Sequence, residues 1–143
     1  MTTGLPVFDR TLQETNLWLK DLEARLGASR HHAYAGLRAT FHTLRDRLPP
    51  GPAMHFAQQL PMLLRGVYAE GWKLSGKPTG ERSASEFTAG VQDQLPPDFP
   101  FDAETIAREA FQTIRDRMDL GEVDKVLGHL PRPIRELWAE PVI

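Results

Sequence analysis

An all-α fold, a six-helix bundle built from two pseudo-symmetric three-helix repeats, is predicted by three features of the sequence. Apolar residues recur at steps of three and four in six segments, a spacing that gathers side chains on one face of a helix. No run alternates apolar and polar residues with enough β-branched character to make a strand. The chain also matches itself at an offset of seventy: residues 33–68 against 103–138 share eleven identities in thirty-six ungapped positions, the mark of an internal repeat. Among these pairs are Arg38/Arg108, Phe41/Phe111, Arg45/Arg115, Asp46/Asp116, Arg47/Arg117 and Pro61/Pro131.

The first helix is expected over residues 12–26, where Leu12, Leu19, Leu22 and Leu26 share a face and Gly27 supplies a stop. Thr11 and Glu14 stand at capping-box spacing before it. The second carries the stripe Tyr34, Leu37, Phe41, Leu44 and Leu48, and Pro49-Pro50-Gly51 ends it. A third segment holds Phe56, Leu60, Leu63 and Val67, with Pro61 expected to bend or split it. Residues 73–82 lack apolar periodicity and contain Gly76, Pro78 and Gly80, so they form a flexible linker. The pattern then restarts. Ser83 and Glu86 make a second capping box for a fourth helix lined by Phe87, Val91 and Leu95, which Pro96-Pro97 stops. Asp102 caps a fifth with the stripe Ala107, Phe111, Ile114 and Met118. A sixth carries Val123, Leu127, Leu130, Ile134 and Leu137, and Pro131 and Pro133 cut it into two short pieces.

One domain over residues 1–143 follows, with repeat one at about 8–72, the linker at 73–82 and repeat two at about 83–139. Each unit has an apolar face that it cannot cover alone, so the two units are expected to pack face to face. Side-by-side stacking, or two lobes joined by the linker, are the alternatives. The chain has 143 residues, 41% of them apolar, enough to fill a core. Seventeen Lys and Arg against nineteen Asp and Glu leave a net charge of -2, which argues against nucleic acid as the partner. With no cysteine, disulfides, thiol nucleophiles and thiolate metal sites are excluded. The opening residues lack a basic segment followed by an apolar run, and no stretch reaches about eighteen consecutive apolar residues. A cytoplasmic protein without a membrane span is expected.

The sequence Ala-Tyr-Ala-Gly-Leu-Arg-Ala-Thr-Phe-His-Thr-Leu-Arg-Asp-Arg-Leu (33–48), followed by His-Phe-Ala-Gln-Gln-Leu-Pro-Met-Leu-Leu-Arg-Gly-Val-Tyr (55–68), resembles the bacterial domain of unknown function two-two-six-seven. The resemblance runs from about Phe8 to Trp138, and its most specific element is the arginine-rich helix end followed by the Gln-Leu-Pro turn. Gly-His-Leu-Pro-Arg-Pro (128–133) departs from Gln-Gln-Leu-Pro-Met-Leu (58–63). The resemblance implies a soluble bacterial helical protein with two internal repeats, and it carries over no catalytic residue.

Among residues that can carry chemistry, the repeated Arg-Asp-Arg stands out. Helical geometry places Arg45 and Arg47 on the two borders of the apolar face, able to bury their stems and keep their heads wet. In the last turn their charge also favours the helix end by roughly 0.3–1 kcal/mol. The first role expected of them is structural, pairing the halves or holding carbonyls of a neighbouring helix; together with Arg115 and Arg117 they are also candidate contacts for an anionic ligand in the groove between the repeats. His42 and Asp46, four apart, read as an exposed pair. The remaining histidines, His31, His32, His55 and His129, lack the spacing of a metal site, and no metal or cofactor is expected. Residues 71–79 nearly spell a phosphate-binding loop, but Pro78 stands where a hydroxyl is needed and the segment follows a helix. No serine lies in a nucleophile elbow, and the acidic residues near helix starts are expected there on electrostatic grounds. Trp72, just before the linker, is a candidate anchor for a partner.

The function expected is a non-enzymatic helical interaction, scaffold or regulatory module whose partner is a protein, with homo-oligomerisation among its modes. The alternative is a domain that binds an anionic ligand or associates with nucleic acid through Arg45, Arg47, Arg115 and Arg117, with His42 beside them.

Overall fold

The structure is a computed structural model that describes residues 2–139. Among these residues the regular elements are all helical: α1 (Pro6–Leu26), α2 (Arg30–Arg47), α3 (Pro50–Gln58), α4 (Met62–Ala69), α5 (Ala84–Gln94), α6 (Ala103–Arg117), α7 (Leu120–Leu127) and α8 (Arg132–Arg135), closed by a 3-10 turn at Glu136–Trp138. Eight helices stand where six apolar stripes are expected, because the third and sixth segments are each divided in two, the split their prolines predict. Pro61 and Pro131 cause the difference, because each stands outside a helix in extended backbone, at ψ 148° and 150°, immediately before α4 and α8. A proline there starts a helix rather than bending one.

α1 begins six residues earlier than expected, with Pro6 in its first turn and Leu5 as an N-cap that makes no side-chain bond. The Thr11/Glu14 spacing is therefore not a capping box. Thr11 lies inside the helix, and its Oγ1 accepts from the Leu63 N–H at 2.8 Å. α1 ends where Gly27 takes φ 64°, the left-handed conformation that glycine adopts without a Cβ penalty. The Ser83/Glu86 box forms completely, and Asp102 caps α6 through Thr105.

One core cluster runs through the helices. α2 is buried on nearly every side over its second half, including Ala39, Phe41, Leu44 and the polar Thr40 and Thr43, whose hydroxyls donate to carbonyls one turn back. Tyr34 is exposed instead of lining the stripe, because α2 turns its small residues Ala33 and Gly36 inward. Leu12 and Leu63 are likewise exposed, and Trp18, Leu64 and Tyr68 occupy the interior. α1 and α5 each pack on both α2 and α6, and α3 meets α7. Phe41 is flanked by Trp18, Phe56 and Tyr68, and Phe111 by Phe87 and Trp138, the last stacked at 4.0 Å. Residues 73–82 are held against α2, where the Thr79 N–H donates to the Asp46 carbonyl at 2.8 Å and Arg47 Nε to the Glu81 carbonyl at 2.6 Å. No helix among the described residues is long and apolar enough to cross a membrane.

Of the glycines, Gly36 makes the closest approach to a neighbouring helix: a Cβ there would stand 2.8 Å from Ile106 Cδ1 and 3.1 Å from its Cγ2. Ile106 is fully buried, so its side chain has little room to yield. Overpacking costs roughly 1–3 kcal/mol, more than the roughly 1 kcal/mol that alanine gains over glycine in a helix. Gly36→Ala is expected to lower the unfolding free energy in urea by about 1 kcal/mol. Ile106→Val removes Cδ1, and in that background the alanine is expected to be nearly neutral. An equal loss in both backgrounds would show that this contact does not set the spacing.

Candidate functional site

α2, the end of α4 and the connection after it enclose a polar cleft of about 260 Å³. Its floor comes from the last turns of α2. His42, 4% exposed, donates through Nε2 to the Val67 carbonyl at 2.7 Å. Arg45, 5% exposed, donates through one terminal nitrogen to the Tyr68 carbonyl at 2.9 Å and to the Glu70 carbonyl at 2.7 Å. These carbonyls lie at the C-terminus of α4, where helical partners run out and the dipole favours a cation. Arg45 Nε also donates to Asp46 Oδ1 at 2.9 Å, and its guanidinium lies 5.9 Å from the ring centre of Trp72.

The exposed border position expected for Arg45 is thus corrected. The chain after α4 folds over its head, and the carbonyls replace the water that a wet guanidinium would need. The exposed pair expected for His42 and Asp46 is corrected for the same reason. Burial holds the His42 imidazole below its ordinary pKa; the bond to Val67 opposes this, Arg45 and Arg38 add to it, and Asp46 opposes it.

At the rim, Arg38 binds Glu70 through Nε and a terminal nitrogen at 3.0 and 2.6 Å, and this contact holds the Glu70 carboxyl below its usual range. Gly71, Lys73, Lys77 and, from the end of α5, Gln94 complete the lining. Among the described residues neither ammonium has an ion-pair or hydrogen-bond partner. Sequence reasoning missed both, because the segment that carries them has no periodicity; the near match to a phosphate loop over 71–79 was the signal that included them.

The other candidates are placed elsewhere. Arg47 is committed to the Glu81 carbonyl. Trp72 is half-buried, packed edge-on to Tyr68 at 6.0 Å and beside the Arg45 guanidinium. Arg117 lines a separate cavity with Trp18 and Pro61, and Arg115 is half-buried on α6. The four arginines do not share one cleft. In the second half, Gln112 takes the place of His42 and donates to the Trp138 carbonyl at 2.9 Å. The cavity there includes Arg108, Thr105 and Glu109 but no lysine. No group of three metal-ligating side chains occurs among the described residues.

A family model described as an uncharacterized conserved protein (DUF2267) matches residues 15–137. No curated protein matches the chain.

His42 supplies a test of the cleft floor. Its folded pKa is depressed, so the unfolded chain takes up the proton first as pH falls below about 6.5. The stability tied to the neutral imidazole is full above that pH and is lost as pH falls toward the folded value. His42→Gln keeps an N–H donor for Val67 and cannot titrate. The variant is expected to lose less stability than the wild type between pH 7 and 5 in urea unfolding. Parallel pH profiles would show that His42 is not buried as described.

Proposed function

The chain belongs to the DUF2267 family, and we propose that it works as a non-enzymatic helical interaction module whose protein partner presents an acidic segment to the cleft above Arg45. The observation that carries this reading is the pair of unpaired ammonium groups, Lys73 and Lys77, on the rim. Both carboxylates of the cleft are already engaged, Glu70 by Arg38 and Asp46 by Arg45. The lysines are therefore the open charges, and an incoming carboxylate meets little competition. A rim of this kind steers encounter and confers specificity more than raw affinity, and it acts over about 8–10 Å at physiological salt.

The reading includes a doubled ancestral unit, with which several features of the two halves are consistent. Leu48 and Met118 end α2 and α6 in extended backbone at equivalent positions, and Pro61 and Pro131 precede the last helix of each half. Phe41 and Phe111 are both buried between an aromatic of the preceding helix and one at the end of the unit. On this reading the two clefts began alike, and the connection carrying Lys73 and Lys77 made the first one basic. A free oxyanion is the second reading, favoured by the small polar volume above Arg45.

Fluorescence anisotropy with a labelled poly-glutamate peptide tests the proposal. Saturable binding is expected to weaken as salt rises, and Lys73→Glu with Lys77→Glu is expected to reduce affinity at least about tenfold with the urea midpoint unchanged. Equal binding by the double variant would refute it. Displacement of the peptide by low millimolar inorganic phosphate would move the assignment to the free oxyanion.

A further inference from the structure

A second concavity, of about 340 Å³, opens where α3 meets α7, remote in sequence from the basic cleft. Gly51 and Pro52 of α3 and Val126 of α7 form its apolar walls. Pockets that hold small organic ligands begin at about 300 Å³ and combine apolar walls with a few placed polar groups. Here the polar groups are all nitrogen-bearing: His55, Lys125 and His129.

Glu122 positions two of them. Its Oε2 accepts from His55 Nε2 at 2.6 Å, and its Oε1 accepts from Lys125 Nζ at 3.2 Å. With both oxygens engaged, the carboxylate fixes an imidazole and an ammonium at the mouth. One ammonium hydrogen is used by Glu122, leaving others directed to solvent. The bond from His55 holds the Glu122 carboxyl below its usual range, so Glu122 stays ionised and repels a second negative charge. Apolar walls with one ammonium and two imidazoles at the rim thus suit a ligand with an apolar body and a single anionic head.

We infer that the α3–α7 cleft binds a small amphiphilic monocarboxylate, its hydrocarbon against Pro52 and Val126 and its carboxylate at Lys125 and His129. The body contributes through burial, and each methylene covered strengthens binding about fourfold. The head contributes through charge-assisted hydrogen bonds.

Titration calorimetry of the full chain with sodium octanoate tests this. One saturable site is expected, with hexanoate at least about tenfold weaker for its two missing methylenes. Octan-1-ol, which lacks the charge, and octanedioate, which carries two, are each expected to bind at least about fivefold more weakly than octanoate. Lys125→Glu is expected to weaken octanoate about tenfold. Pro52→Glu places a carboxylate in the first turn of α3, where the helix end accepts it, and is expected to abolish binding with the unfolding midpoint retained. The Lys73→Glu/Lys77→Glu variant is expected to bind octanoate like the wild type, which separates this site from the basic cleft. Octanol binding as tightly as octanoate, or octanoate binding unchanged in Pro52→Glu, would overturn the assignment.

Discussion

The contact on which the rest of the molecule depends is the approach of α2 to α6, where Gly36 admits Ile106 to the backbone of its neighbour. Because a Cβ at residue 36 would already collide with it, the Ile106 side chain sits directly on the backbone of α2 and sets the spacing of the two central helices. α1 and α5 can then each cover both. A second close approach, between Gly90 of α5 and Thr43 of α2, repeats the device on one flank. On the other flank Arg25 of α1 joins Asp21 to Asp116 and Glu109 of α6. Close packing of this kind transmits volume changes directly, since a dense interior has no slack to absorb them.

Burying helices this thoroughly creates a problem of polar satisfaction. The carbonyls at the ends of α4 and of the final turn face inward, and each unmet acceptor would cost stability. His42 and Arg45 meet this need in the first half, and Gln112 meets it in the second. Tyr68 adds a bond from its hydroxyl to the Ala53 carbonyl at 2.8 Å, tying α4 to α3. Side chains that look chemical in the sequence are therefore largely consumed in holding helix ends together. What remains open to solvent, Lys73 and Lys77 on one cleft and Lys125 with His129 on the other, comes from segments outside the central pair.

The helical class and several elements could be read directly from residues. The stripe Ala107, Phe111, Ile114 and Met118 is buried as its spacing requires, and the Ser83 and Asp102 caps form because both side chains have a free N–H within reach. Thr11 had the right spacing for a cap but the wrong neighbourhood: Pro6 starts the helix one and a half turns earlier. Tyr34 misled because amphipathic spacing weighs large apolar residues, whereas α2 buries a face of small ones to let α6 approach. The site was less legible. Arg45 belongs to the floor only because residues twenty-three to twenty-five positions later fold over it, and His55 finds Glu122 across sixty-seven residues. Such meetings have no local signature.

Native-state hydrogen exchange in low denaturant examines the shared core directly, because it reports the free energy of opening segment by segment. If α2 and α6 lock one cooperative core, the slowest amides of both helices, including those around Phe41 and Phe111, exchange with one common free energy and one denaturant slope. Release of the α6 amides through a separate opening of lower energy, with α2 still protected, would contradict that dependence.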